Sequence, residues 1–285
     1  MKRKINYVLL APALLLSLCV VFIPGMLTFV TSFTNWTGVS MSMDFVGLRN
    51  FKEISRDWIF WQSLSNNVSW MLMFLTIPVA IGMLTAILLQ HKKRGRSIFQ
   101  LIFLVPYVLS AVVNAMVWQG IIYNPIFGLI GYLNRNGWQI PSLLSNSGTA
   151  LYAVAATDIW HYWGFLTIVY LAALRQTSMD QVEAALIEGS NGWQLYRYVY
   201  FPSILPTFKL MMVLAFINSF LTFDYVQLMT WGGPAHATEM LSTYAYSFAF
   251  SSMQVGKAAA VGLIMSLFGL IASIVYTKIA IGEGV

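Results

Sequence analysis

Long apolar runs that carry almost no charge restrict the fold of this chain more than any other feature of its sequence. About 20 consecutive apolar residues are needed to cross the hydrocarbon core of a bilayer. Only 9% of the 285 residues are charged, against about a quarter in soluble domains. The sequence therefore predicts an all-α polytopic membrane protein and excludes a soluble enzyme, a disordered chain and a coiled coil. The apolar runs predict six transmembrane helices, near residues 8–33, 67–90, 98–122, 150–174, 206–230 and 258–280.

The distribution of basic residues indicates how these spans are oriented. Six spans leave both termini on one side, and with the N-terminus inside, eleven Lys and Arg residues fall inside and five outside. This matches the excess of basic residues in cytoplasmic loops. Both termini are therefore expected to be cytoplasmic. The net charge of +6 is explained by topology and by contact with anionic membrane lipid, so no nucleic-acid partner is expected. The alternative for the first run is a cleaved signal peptide, but its apolar core is longer than usual.

Residues that could carry covalent or metal chemistry are sparse. Cys19 is the only cysteine, so neither a disulfide framework nor a cysteine-based zinc site is expected. The three histidines (His91, His161 and His236) fall in a predicted inner loop, a span and an outer loop, so no metal site is expected. The sequence has no Gly-x-x-x-x-Gly-Lys-Ser/Thr loop to hold a nucleotide. The chain itself is therefore not expected to be an enzyme, and an ATP-driven step would need another polypeptide.

The predicted inner loop 175–205 has the pattern of a helix, a sharp bend and a second helix. Gly189 stands where a left-handed residue would end the first helix, and Pro202 is expected to limit the second. Apolar side chains such as Leu186 and Trp193 exceed what a solvated loop should expose, which favours docking of a partner. An amphipathic hairpin on the inner leaflet is the alternative. The spacing of two residue pairs is that of a capping box: Ser178 with Gln181, and Asn191 with Gln194.

Polar residues in the fourth and fifth predicted spans indicate a pathway for a polar solute. Ionisable groups at membrane depth are costly and usually functional, and Asp158, His161 and Asp224 are such groups. Helical spacing predicts that the polar residues of the fifth span share one face. The alternatives are that they make hydrogen bonds between helices, and that Asp224 and His161 have structural roles. The predicted pathway residues are Tyr162, Gly164, Asn218, Ser219, Thr222 and Asp224.

Two stretches of the sequence resemble a known family. Glu183-Ala184-Ala185, followed by Gly189 and Phe201-Pro202, is similar to the EAA signature of binding-protein-dependent ABC transporter permeases. The stretch from Thr230 to Glu239, which contains Trp-Gly-Gly-Pro, resembles the Gly-Gly-Pro loop of the carbohydrate-uptake branch. The chain looks like the first of two permease subunits, of the maltose or glycerol-phosphate type.

The resemblance implies a mechanism as well as a family. It implies that the 178–202 segment couples a single permease domain, residues 1–285, to an ATPase. It also implies that Glu183 anchors the loop by charge, that Ala184 and Ala185 allow close approach, and that Leu186 and Trp193 fill a groove of the ATPase. The implied partners are a second homologous permease, a cytoplasmic ATPase dimer that carries ATP and Mg, and an extracytoplasmic solute-binding protein. The chain itself would hold no cofactor and would lie in a bacterial or archaeal cytoplasmic membrane.

One other class of transporter remains open at this point. Asp158 and Asp224 could serve as relay groups of an ion-coupled secondary carrier of a small polar solute. Such carriers often contain inverted repeats with paired broken helices, and no matching halves are recognisable in the sequence.

Overall fold

A computed structural model of the protein describes residues 11–40, 42–92 and 94–281. Within these ranges the chain is helical, and its only β pairing is an isolated bridge between Thr34 and Phe45. The predicted all-α class is confirmed. The helices, in chain order, are α1 (Ala11–Thr31), α2 (Arg49–Arg56), α3 (Trp58–His91), α4 (Arg96–Val108), α5 (Ala111–Ile122), α6 (Leu129–Arg135), α7 (Ala150–Leu174), α8 (Met179–Ile187), α9 (Gly192–Leu195), α10 (Phe201–Phe220), α11 (Asp224–Met229), α12 (Leu241–Tyr246) and α13 (Val255–Ile281).

Among the residues that the structure describes, three helical segments are long and apolar enough to cross a membrane: α1, α3 and the run from Gly192 to Met229. The bent pair α4–α5 adds a fourth if it counts as one span. α7 has the predicted bounds, but Asp158 and His161 make it less apolar, and its neighbours enclose much of it. The six-span count therefore stays a prediction.

The predicted span 98–122 corresponds to two helices separated by a sharp break. α4 and α5 meet at an angle of 100°, because Leu109 and Ser110 are both extended. The Ser110 hydroxyl accepts a hydrogen bond from the Val113 amide and so begins α5. Inside the bend, the Asn114 side chain donates to the Pro106 carbonyl at 3.0 Å. The break is thus capped from both sides, which is how a membrane protein tolerates irregular backbone.

The predicted span 206–230 also differs from the structure. The helix begins earlier, at Gly192, and passes through a π turn at Tyr196–Tyr200 into α10. Pro202 does not limit it, since the helix continues past this proline directly after the π turn. α10 then ends at Phe220, and its freed carbonyl accepts a hydrogen bond of 3.2 Å from the Asn67 side chain.

The described residues divide into two compact units. One unit draws on the segments Met1–Trp61 and Leu241–Leu267, and the other on Gln62–Met240 and Phe268–Val285. The larger unit has its core around α7, where Trp70, Phe74 and Tyr170 are buried.

Candidate functional site

The 175–205 segment folds as a helix, a bend and a second helix. Gly189 has φ +85°, the left-handed conformation that glycine adopts without cost. Ser178 precedes α8, but its side chain makes no capping bond, so the first predicted capping box is wrong. The second is present, because Asn191 and Gln194 exchange two hydrogen bonds of 2.9 Å. The bend is therefore fixed by one glycine and one capping box.

The outer side of this bend carries exposed apolar side chains. Leu186 is 53% exposed, Ile187 87% and Trp193 70%. Glu183 and Ala184 are also exposed, and Ala185 is half-buried. Exposed apolar patches of this kind are typical of surfaces that bind a protein partner or a membrane. The predicted coupling residues lie on α8, on α9 and, for Gly189, in the bend between them.

A cavity of about 610 Å³ opens beside α8. Ala184 and Ala185 lie on its α8 side, with Glu188 at the end of that helix, and their small side chains leave the space open. The residues that follow the bend also line the cavity, and two of them, Tyr198 and Ser203, were not singled out from the sequence. Tyr198 lies in the π turn, which no sequence pattern predicts, and Ser203 lies in the first turn of α10. The cavity can receive a side chain of a second protein.

The structure brings part of the predicted pathway together around α7. Tyr162 is buried and its hydroxyl makes no hydrogen bond within the described chain, while the Asn218 side chain lies near it. Asp158 is near Asp224, and its carboxylate is 3.9 Å from the His161 ring. Asn218, Asp158 and Asp224 can therefore offer donors and acceptors to a polar solute.

Other predicted pathway residues are placed differently. Ser219 and Thr222 are buried, whereas Asn218 is exposed, so the three do not share one exposed face. The Ser219 hydroxyl donates to the Phe216 carbonyl at 2.7 Å, and the Thr222 hydroxyl donates to the Asn218 carbonyl at 3.2 Å. These two hydroxyls stabilise the end of α10.

Gly164 and His161 both pack against α4. A Cβ atom on Gly164 would overlap the carbonyl oxygen of Phe103, so this position allows two helices to touch. The His161 ring stacks on Tyr107 with a centroid distance of 5.2 Å, and Tyr107 lies in the last turn of α4. His161 therefore supports the α4–α5 break, in agreement with the structural alternative.

The Gly-Gly-Pro stretch forms a tightly held loop. The Glu239 carboxylate packs over Gly232, where a Cβ atom would overlap it. It also lies 2.9 Å from His236 Nδ1. From α3, the Asn66 amide donates to the carbonyls of Ala237 and Glu239 at 3.0 and 2.9 Å. The loop conformation is thus stabilised by the Glu239–His236 contact inside the loop and by the Asn66 hydrogen bonds from α3.

Comparison with known proteins places this architecture in a family. Residues 78–280 match the family described as "Binding-protein-dependent transport system inner membrane component". A probable ABC transporter permease protein of Pyrococcus horikoshii is 34% identical, over 94% of this chain and 92% of that protein. The trehalose/maltose transport system permease protein MalF of Thermococcus litoralis is 27% identical, over 98% of this chain and 94% of that protein.

The fold agrees with a solved transporter. A chain of a bacterial ABC transporter that imports the acidic polysaccharide alginate superposes with a TM-score of 0.83 at 21% identity, over 98% of this chain and 96% of that chain. The family match also decides against the ion-coupled secondary carrier. The chain belongs to the binding-protein-dependent transport system inner membrane components, the membrane-embedded permease subunits of ABC transporters.

Proposed function

We propose that this chain forms half of the translocation pathway of an ATP-driven carbohydrate importer. The observation that carries the proposal is the helix–Gly189–helix bend, whose apolar side chains are exposed. Such a surface can dock into an apolar groove of another protein. The chain that carries it belongs to a family of ABC transporter permeases.

The bend would couple the permease to a separate ATPase subunit. Glu183 anchors the loop to a basic residue of the ATPase, and Ala184 and Ala185 leave room for a side chain beside α8. Leu186 and Trp193 fill the ATPase groove, where each could bury enough apolar surface to contribute about 1.5–3 kcal/mol. ATP and Mg bind to the ATPase, and this chain holds no cofactor.

The proposed topology is six spans in a bacterial or archaeal cytoplasmic membrane, with both termini cytoplasmic. The whole chain then acts as one permease domain, and the 175–205 segment projects toward the cytoplasmic ATPase dimer. A second homologous permease completes the pathway, and an extracytoplasmic solute-binding protein delivers the cargo.

Relatives favour a carbohydrate as the cargo. AmyD of Thermoanaerobacterium thermosulfurigenes, named as a probable permease for starch degradation products, is 29% identical over 94% of this chain and 91% of that protein. The polar groups near α7 suit hydroxyl-rich cargo. We assign Asn218 and Asp224 to contact with cargo, while the buried residues Tyr162, Gly164, Ser219 and Thr222 shape the pathway from behind.

The experiment is sugar uptake by proteoliposomes that contain this chain, its partner permease and the ATPase dimer, with ATP inside and the loaded binding protein outside. Glu183→Lys should abolish uptake, Glu183→Asp should retain much of it, and all variants should assemble. Normal uptake by Glu183→Lys contradicts the coupling role. Accumulation of sugar by this chain alone, without the ATPase, contradicts the proposal as a whole.

A further inference from the structure

A second cavity, of about 210 Å³, lies in the smaller unit between α2 and the first turn of α13. It belongs to the predicted outer side of the protein, remote in sequence from the bend at Gly189. Two cations and one carboxylate line it: Arg49, Lys257 and Glu53. The lining therefore has a net charge of +1.

The carboxylate in this cavity is already occupied by the two cations. Arg49 Nε lies 2.8 Å from Glu53 Oε1, and Lys257 Nζ lies 2.7 Å from Glu53 Oε2. Lys257, with Arg49, lowers the pKa of Glu53. Glu53 is thus ionised and fully engaged, and it holds both cations in place.

Arg49 keeps donors available. Its side chain is 71% exposed, and its contact with Glu53 uses only the Nε–H group, so the terminal N–H groups remain able to donate. A guanidinium fork matches a carboxylate in a two-bond geometry. The cavity therefore presents a preorganised site for one further acidic group.

The walls of the cavity are fixed by buried hydrogen bonds. The Asn50 side chain donates to the carbonyls of Ser32 and Thr34, each at 2.8 Å. The Gly256 amide donates to the Trp36 carbonyl at 3.0 Å, and a Cβ atom on Gly256 would overlap the Thr34 carbonyl oxygen. Because the site is already formed, a ligand loses little free energy in ordering it.

The surroundings match an acidic protein surface. Arg49 is the basic residue of α2 that lines the cavity, whereas Lys52 and Arg56 lie outside the lining and the acidic Asp57 follows the helix. Exposed apolar side chains precede it, namely Phe45 and Leu48. A basic site beside exposed apolar groups is typical of a surface where polar contacts steer a protein partner.

We propose that this cavity receives an acidic side chain of the solute-binding protein, whose carboxylate pairs with Arg49. The inference rests on the proposed function, which places this part of the chain on the side where the binding protein docks. Beyond the proposed function, the inference names Arg49 as a docking residue and predicts an acidic contact surface on the solute-binding protein.

The test uses the complete transporter in nanodiscs of phosphatidylcholine, with its own sugar-loaded binding protein. The quantity measured is the concentration of binding protein that gives half-maximal stimulation of ATP hydrolysis. Arg49→Glu should raise this concentration about tenfold. Lys52→Glu is the matched control, since it makes the same charge change on the same helix outside the cavity, and it should change the value by no more than about twofold.

A milder variant guards against misfolding. Arg49→Gln removes the charge without reversing it, and it should weaken both the stimulation and its dependence on salt, because screening acts on the lost charge pair. Equal effects of the Arg49 and Lys52 variants, or no effect of either, would overturn the inference while the proposed function stands. A wild-type complex that does not respond to its binding protein would instead overturn the proposed function.

Anionic lipid is the competing ligand. The titration is repeated in nanodiscs that contain phosphatidylglycerol. If Arg49→Glu alters the response only there and not in phosphatidylcholine, the cavity binds a lipid headgroup and the docking inference is wrong.

Discussion

The backbone of Gly164 in α7 lies directly against the carbonyl group of Phe103 in α4. Glycine lets the two helices meet backbone to backbone, as small residues do elsewhere in membrane proteins. Phe103 is followed by Tyr107, whose ring stacks on His161, so two contacts from α7 hold the part of α4 that precedes the break.

We expect Gly164→Leu to destabilise the protein by at least about 2 kcal/mol, because an inserted side chain must push α4 away. Gly120→Leu is the control, since a Cβ atom on Gly120 meets nothing within 4 Å. Thermal unfolding of the detergent-solubilised protein measures both. If the two variants have equal midpoints of thermal unfolding, α4 and α7 can move apart without loss of stability and the prediction is wrong.

The sequence predicted the helices of this fold better than their interruptions. Long apolar runs located α3, α7 and α13, because hydrophobicity decides which segments enter a membrane. Pro106 indicates a kink in the run 98–122, but nothing in the sequence predicts that the helix stops at Leu109 and Ser110 and turns by 100°. This break is stabilised by tertiary contacts such as that of Asn114 with the Pro106 carbonyl, and a local pattern does not contain them.

In the candidate site, too, the features set by local sequence could be predicted and those set by the tertiary structure could not. The bend could be predicted because Gly189 and the Asn191–Gln194 box act over a few residues. Which hydroxyls face the pathway could not, because helical spacing assumes that the helix continues. α10 ends at Phe220, so the side chains before and after that residue follow different directions.

Asn66 anchors the Gly-Gly-Pro loop to α3. We expect Asn66→Ala to loosen residues 230–240, because it removes two hydrogen bonds to backbone carbonyls at a cost of about 1–3 kcal/mol. Hydrogen–deuterium exchange of that segment should accelerate. Thr76→Ala is the control on the same helix, since the Thr76 hydroxyl bonds only within α3. If the exchange rate of residues 230–240 in Asn66→Ala equals that of the wild type, contacts inside the loop are sufficient to stabilise it.

Acid should weaken the smaller unit through Glu53. Its pKa is lowered in the folded protein by Lys257 and Arg49 from the ordinary value of 4.5. The stabilisation is therefore present above about pH 4.5 and disappears as the pH falls through the lower, folded-state pKa. The difference in thermal midpoint between wild type and Glu53→Gln should shrink over that range and with added salt, since the pair is partly exposed. A difference that does not vary with pH would contradict the ion-pair assignment.

The requirement for glycine at position 189 should come from its backbone conformation and not from lack of space for a side chain. A Cβ atom on Gly189 would meet nothing within 4 Å, so only its φ of +85° restricts the residue. A β-branched side chain disfavours this conformation by about 1–2 kcal/mol, whereas Asn tolerates it. We therefore expect Gly189→Val to lower the amount of sugar imported per ATP hydrolysed in proteoliposomes, and Gly189→Asn to preserve most of it. Gly192→Val serves as control, because Gly192 also has open space but begins an ordinary helical turn. If Gly189→Val and Gly189→Asn transport equally well, the left-handed bend is not needed for coupling.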